Sequence, residues 1–385
     1  MARSVGKRAK KERSLGGKML KVFFSILMVL VLVVGAYVAY AMISYHRIED
    51  YQQCKINNAK EIAERVPVDR ELSLQSWNIG FAAYQQDYSF FMDGGKESRA
   101  RSKEAVYESM GHIVDGLKDT KSDFYTVQEV DFDSTRTYHV DEAQIIRDSF
   151  TTYSNTFAQN YDSPYLMWPL IKPHGASKSG ILTMSKFEMQ SSIRRSLPIQ
   201  TDLAKFIDLD RCYDVVRYEV EDGHELVLIN LHLSAYTTDP TIADQQVEML
   251  CKEIEKEYAK GNYVICAGDY NKDMLGNSSE VFENEGERGW AKAFKKDMLP
   301  EGFSVVNTLD SKNPVASCRD CDTGYVKGET FVVTVDGFIV SDNIEVVKAE
   351  TLDYEFMWSD HNPVRMVFKL LGGKFDIEQS ALNEH

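Results

Sequence analysis

The chain has 385 residues, 43% hydrophobic and 11% aromatic, which is enough for one large core or two modest ones and excludes a chain disordered throughout. The net charge of −15 is unevenly placed: residues 1–21 hold eight Lys/Arg against one acid, Glu12, and removing them from totals of 44 and 59 leaves 36 basic and 58 acidic groups, net −22. A body that acidic repels phosphate backbones unless metal ions or a local basic groove intervene, which counts against tight nonspecific DNA binding.

In chain order, the basic tip (1–21) leads into Val22–Ile43, a run of uncharged, mostly apolar residues. At about 1.5 Å per residue it is long enough to cross a bilayer core of roughly 30 Å. The positive cluster before it predicts a cytoplasmic N-terminus, with everything after Ser44 on the extracytoplasmic side of the cell membrane. Ala39-Tyr40-Ala41 resembles a signal-peptide cleavage site, but the apolar run is longer than a signal core, so an uncleaved single-pass anchor is expected. Residues 44–70 are polar and charged and read as a juxtamembrane helix or stalk.

The globular domain is expected over residues 71–370, followed by a polar tail, 371–385. Leu72 and Leu74 alternate with polar neighbours up to Trp77-Asn78-Ile79-Gly80, a strand ending in a polar residue and a turn. Helical spacing of Val106, Met110, Ile113, Val114 and Leu117 predicts a helix from Glu97 to Leu117. A strand from Asp123 to Val127 ends in Gln128-Glu129, and a helix is expected over Glu142–Ser149. Tyr161–Gly175, rich in Pro and aromatics, reads as a substrate-side loop, and Gly180–Met184 as a strand. Val215–Val220 and Glu225–His232 flank Asp222-Gly223, a hairpin signal, so the sheet is mixed. Asp239-Pro240 opens a helix whose buried stripe is Val247, Leu250, Cys251, Ile254 and Tyr258. Tyr263–Cys266, bounded by Gly261 and Gly268, is a buried strand that ends in Asp269 and Asn271. Residues 272–330 are loop-rich with one short helix, Phe331–Val340 is a strand carrying Asp336, and Ser359-Asp360-His361-Asn362-Pro363 leads into a last strand. Helices and strands alternate as in layered α/β folds.

Of six cysteines, Cys318 and Cys321 are the nearest couple, able to pair outside the cytosol, whereas Cys251 and Cys266 fall on apolar faces as core residues. A lone C-x-x-C is weak evidence for zinc.

Singly, Asn78, Glu129, His232, Asp269, Asn271, Asp336, Asp360 and His361 each have an ordinary explanation as a turn, cap or solvated residue. Together they are four carboxylates, two carboxamides and two imidazoles, all at or beside strand ends, where open α/β proteins keep their chemistry. No serine or cysteine nucleophile stands among them. The set is poor for soft metals and suited to Mg²⁺ or Mn²⁺, which take oxygen ligands and leave positions for water and phosphate.

Six motifs, Trp77-Asn78-Ile79, Gln128-Glu129, Asn230-Leu231-His232-Leu233, Gly268-Asp269-Tyr270-Asn271, Val335-Asp336-Gly337-Phe338 and Ser359-Asp360-His361-Asn362-Pro363, resemble those of the endonuclease/exonuclease/phosphatase superfamily, in family order over residues 72–370. That superfamily includes DNase I-like nucleases, exonuclease III-like abasic-site endonucleases, inositol-polyphosphate phosphatases and neutral sphingomyelinases. The resemblance implies a four-layered α/β sandwich, two packed mixed β-sheets flanked by helices. It implies Glu129 as the main metal carboxylate, with Asn78 and Asp360 completing an oxygen cage for Mg²⁺ or Mn²⁺. Asp269 and Asn271 then orient and deprotonate the attacking water, and His232 stabilises developing charge or protonates the leaving oxygen. His361, its tautomer held by Asp336, contacts the scissile phosphate. Lys172, Lys178, Lys186, Arg194 and Arg195 are the nearest approach to a basic wall. The acidic body and the apolar anchor fit a phospholipid or small extracytoplasmic phosphoester at least as well as nucleic acid. A membrane-anchored, metal-dependent phosphodiesterase or phosphatase is therefore expected, with a Mg²⁺-dependent nuclease or a binding pseudoenzyme as alternatives.

Overall fold

The computed structural model describes residues 15–200, 209–235, 239–286 and 288–373. Most of the basic tip and of the polar tail lies outside the described residues. The chain divides into two units, 1–46 and 47–385. In the first, helix α1 (Leu15–Ser44) contains a stretch from Gly16 to Ser44 long and apolar enough to cross a membrane.

The second unit is built on two seven-stranded sheets. One runs β1 (Gln52–Gln53), β7 (Ser191–Ser196), β8 (Cys212–Glu219), β9 (Glu225–His232), β10 (Tyr263–Asp269), β14 (Asp336–Ser341), β11 (Phe303–Val305). The other runs β15 (Ile344–Thr351), β16 (Val364–Leu370), β3 (Leu72–Asn78), β4 (Phe124–Asp131), β6 (Lys178–Ser185), β5 (Ser154–Asp162), β2 (Ile56–Asn57). A small ladder joins β12 (Cys318–Arg319) to β13 (Val332–Val333). Both large sheets are mixed: β9 runs parallel to β10 and β3 to β4, while the other pairs are antiparallel.

Three apolar layers stack these elements. Leu74, Phe124, Leu228, Ile265, Phe338 and Met366 meet between the sheets. Helices α2 (Lys103–Thr120) and α3 (Glu142–Ser149) cover one outer face through Val106, Met110, Ile113 and Ile146. Helix α4 (Pro240–Tyr258) covers the other with Val247, Leu250 and Ile254. The architecture is a four-layered α/β sandwich. A short helix, α5 (Ser278–Val281), lies in the loop-rich region after β10.

The structure differs from the sequence reading in three places. Helix α2 begins at Lys103 and not near Glu97, because Ser102 adopts an extended φ of −157° and its side chain accepts from the Ala105 N–H at 3.1 Å. Strands β5, β7 and β15 have too many polar residues to show an apolar alternation. Residues 47–70, read as a stalk, join the sandwich: β1 pairs with β7, β2 pairs with β5, and Val66 is fully buried with its N–H bonded to the Glu219 carbonyl at 2.8 Å. All six cysteines are buried free thiols, so Cys318 and Cys321 are not paired here.

Candidate active site

Side chains of a strand alternate between its faces. On β3 the inner face carries Leu72, Leu74 and Ser76, which places Asn78 on that face at the strand's last position. The same count along β9 (Leu226, Leu228, Asn230) ends in His232, and along β10 (Tyr263, Ile265, Ala267) in Asp269. On β14, Phe338 and Val340 share the inner face with Asp336 at its start. Register then aligns them, since Asp269 pairs with His232 on one side and with Asp336 on the other.

Glu129 breaks the count. Strict alternation would send it with Tyr125 and Val127 towards the helices. A register shift between Val127 and Val130, with φ of +54° at Glu129, turns it inward. Two glycines permit the close packing here. At Gly268, φ is +150° and a Cβ would overlap the Leu231 carbonyl oxygen; at Gly80, φ is +51° and a Cβ would sit 2.7 Å from Asp360 Oδ1.

Two bonds close the site across the sheets. Asn78 Nδ2 donates to Asp269 Oδ2 at 2.9 Å and to Glu129 Oε1 at 3.2 Å. His361 Nδ1 lies 2.7 Å from Asp336 Oδ2, while its Nε2 is 3.9 Å from Asp269 Oδ2. His232 Nε2 is 3.4 Å from Asp269 Oδ2 and 3.9 Å from Glu129 Oε1. The backbone N–H of Asn271 donates to Asp269 Oδ1 at 2.8 Å, and its side-chain amide donates to the Leu233 carbonyl at 2.9 Å. Asp360 accepts from Ser359 Oγ at 3.3 Å and from Cys321 Sγ at 3.5 Å. All eight predicted residues thus fall at one rim, four from each sheet or its adjoining loops.

Electrostatics divides the two imidazoles. Burial pushes His232 well below its ordinary value, helped by the Arg211 charge, so the ring is neutral. Burial also opposes the charged form of His361, but Asp336 outweighs it and holds the ring well above its ordinary value, as an imidazolium. Burial lifts Asp269 to about 7, against the stabilising charge of His361.

Glu129 and Asp360 bring two carboxylates close together. Burial and then the Asp360 charge push the Glu129 carboxyl up, and among the described residues no Lys or Arg forms an ion pair with either. Oxygen donors gathered with no Lys or Arg in an ion pair with them fit a hard divalent cation. Asp269, Asp336 and His361 also bring ligand atoms within 4.8 Å of one another. There, however, His361 Nδ1 is engaged by Asp336 and the ring is charged, so a hydrogen-bonded ion pair accounts for the cluster.

The rim opens into a cleft of about 960 Å³ lined by Glu129, His232, Asp269, Asp360 and His361. Tyr161 and His174, at the ends of the expected substrate-side loop, line it too. The expected basic wall does not. Arg194 is buried, donating to the carbonyls of Gln159, Glu49 and Asp210, and Arg195 pairs with Glu253 and Asp50. Lys186 and Lys178 pair with Asp123 and Asp133, and none of the five, Lys172 included, lines the cleft. The lining cations are instead Arg136, Arg211, Lys272, Lys292, Lys295 and Arg319. Buried arginines carry no motif, so Arg136 and Arg211 left no sequence signal. Lys272, next to Asn271, could have been found from that adjacency. Ser317 was also missed: its hydroxyl accepts from the backbone N–H groups of Val335 at 2.9 Å and Asp336 at 3.0 Å, fixing the start of β14.

Among solved structures, the chain is similar to the endonuclease/exonuclease/phosphatase from Beutenbergia cavernae DSM 12333, with TM-score 0.53 and 15% identity over 78% of this chain and 72% of that one. The fold is that of the endonuclease/exonuclease/phosphatase superfamily. A second similar structure with this superfamily fold is ANGEL2, described as a 2′,3′-cyclic phosphatase, with TM-score 0.51 and 16% identity over 85% of this chain and 100% of that one. No family model and no curated protein sequence matches the chain.

Proposed function

We propose that this cleft hydrolyses phosphoesters by attack of water on phosphorus, with Mg²⁺ or Mn²⁺ held by Glu129, Asn78 and Asp360, in a chain anchored to a membrane by residues 22–43 with its second unit extracytoplasmic. The observation that carries the reading is the double closure of the rim, Asn78 to Asp269 at 2.9 Å and Asp336 to His361 at 2.7 Å, each joining one sheet to the other. A divalent cation bound there supplies charge neutralisation on the phosphate oxygens.

The chain's own groups perform the rest. Asp269, with a carboxyl near 7, is tuned to accept the proton of the attacking water at neutral pH, and Asn271 fixes its orientation. The His361 imidazolium, tied to Asp336 through Nδ1, presents Nε2–H to a phosphoryl oxygen. His232, neutral and close to Asp269 through Nε2, donates to the charge that develops as the ester oxygen departs. Similarity to a protein described as a 2′,3′-cyclic phosphatase supports a phosphoester as the substrate class.

The test uses the purified full chain in detergent with Mg²⁺, offered plasmid DNA, sphingomyelin vesicles, inositol phosphates and bis(p-nitrophenyl) phosphate. Turnover of a lipid or small phosphoester, abolished by chelator and by Glu129→Gln, is expected. Nicking of DNA alone would select the nuclease reading. Silence on every substrate, with metal binding unaffected by Glu129→Gln, would overturn the hydrolase reading.

A further inference from the structure

The cations that line the cleft are not equivalent. Arg136 is held by Asp131 through two hydrogen bonds of 2.9 and 2.8 Å, and Arg319 donates to the carbonyls of Asp320, Thr323, Gln85 and Tyr88. Lys295 pairs with Asp244 at 2.6 Å. These three serve the fold.

Lys272 differs. It is 8% exposed, its ammonium donates to the carbonyls of Asn271 at 3.2 Å and Ser234 at 3.4 Å, and among the described residues no carboxylate lies within ion-pairing distance of it. A buried ammonium held by backbone carbonyls alone is costly, and such groups mark places where an anion completes the shell. Two further cations, Lys292 and Arg211, line the same cleft near enough for their charges to act on Lys272. Of the acids nearby, Asp269 belongs to the reacting group and Asp244 is engaged by Lys295. Burial lowers Lys272 to about 8, and Lys292 and Arg211 add to that against Asp269; the amine is still charged at pH 7.

We propose that Lys272 and Lys292, with Arg211 on the same wall, form an anion subsite for a second phosphate that the substrate carries beside the one being cut. The inference rests on the hydrolase reading and names its substrate class: a bis-phosphorylated molecule. Its reacting phosphate lies among Glu129, Asp269 and His361, and its spectator phosphate lies against the lysines. The spectator group is a point charge to an ammonium, which suits a freely rotating phosphate monoester better than a planar carboxylate. The same headgroup chemistry occurs on lipids and on soluble molecules, and two assay arms separate them.

The full chain with Mg²⁺ is compared on inositol monophosphate and inositol bisphosphate in solution, and on phosphatidylinositol and its monophosphate in vesicles. The bis-phosphorylated member of at least one pair is expected to show the higher kcat/KM. Lys272→Gln and Lys292→Glu are each expected to reduce that preference by about tenfold. Lys292 is exposed, so its substitution keeps the test valid if Lys272→Gln does not fold. Calorimetry with inorganic phosphate in the presence of chelator reads the subsite without turnover, and both variants are expected to lose the binding. Turnover with no preference and no phosphate binding would overturn the subsite and leave the hydrolase reading intact. Phosphate binding lost in both variants, with no turnover on any substrate, would support the subsite and sink the hydrolase reading.

Discussion

Asp269 and His361 lie 3.9 Å apart with both proton affinities raised, the acid lifted to about 7 and the imidazole held well above its ordinary value. A base must be ionised to accept a proton, so the rate should climb as pH rises through about 7. It should fall only at higher pH, where His361 loses its charge. Asp336→Asn removes the carboxylate that raises His361 and also helps raise Asp269, so the alkaline limb of the pH–rate profile should move to lower pH and the acid limb, set by Asp269, should move down by less. A profile unchanged by that substitution would contradict the assignment. Asp269→Asn should cost about 10²–10⁴ in kcat with the unfolding temperature preserved or raised, since it relieves a buried carboxylate crowded by Asp336. At this scale the sequence exposed residue types and strand-end positions, because polar groups stand out where an apolar run stops. It could not expose that Lys272 has no carboxylate partner among the described residues, or that backbone carbonyls engage Arg194, since partners are set by tertiary packing.

Strands with an apolar alternation, β3, β9, β10 and β14, were legible within a few residues, and the period of two carried an inner-face residue at one end of each to the rim, the last of β3, β9 and β10 and the first of β14. Strands β5 (SNTFAQNYD) and β7 (SSIRRS) were not, because part of the space between the sheets is filled with polar side chains. Thr156 Oγ1 donates to Ser192 Oγ at 2.7 Å, and Ser192 Oγ donates to Asp214 Oδ1 at 2.8 Å. Burial lifts Asp214 from 3.8 to about 7 despite that bond and the Arg194 charge. Between those values the folded chain holds a proton that the unfolded chain has released. Asp214 therefore favours folding most at low pH and increasingly opposes it as pH rises to about 7, with no further change above. Asp214→Asn should accordingly stabilise the protein by an amount that grows from pH 4 to pH 7 and then levels off, on the order of 4 kcal/mol, measured by urea unfolding. Gly268→Ala should do the opposite, at any pH, by about 3 kcal/mol or more, since the Leu231 carbonyl oxygen occupies the space a Cβ needs.

Across the whole molecule, the layered architecture followed from alternating helical and strand periods, but the limits of the folded unit did not. Residues 47–70 are too polar to announce themselves as strands, yet they add an edge to each sheet and bury Cys54 and Val66. A chain beginning at Arg47 should unfold cooperatively several degrees above one beginning at Glu71, by circular dichroism; equal midpoints would show the segment to be ornamental.

The polar stitching between the sheets has a mechanical corollary. Gln128 donates across the gap to Asn230 at 2.8 Å, just beneath Asn78 and Asp269, while Asn230 itself reaches back to the Leu182 carbonyl at 3.1 Å. The proton-handling couples are thus divided between two slabs, each knit by its own ladders and joined to the other by side-chain bonds such as these. A slide of one slab over the other by the length of a bond would uncouple both pairs together while every ladder stayed whole. Turnover should therefore fail on warming before the strands melt, and Asn230→Leu should widen the interval between those two temperatures.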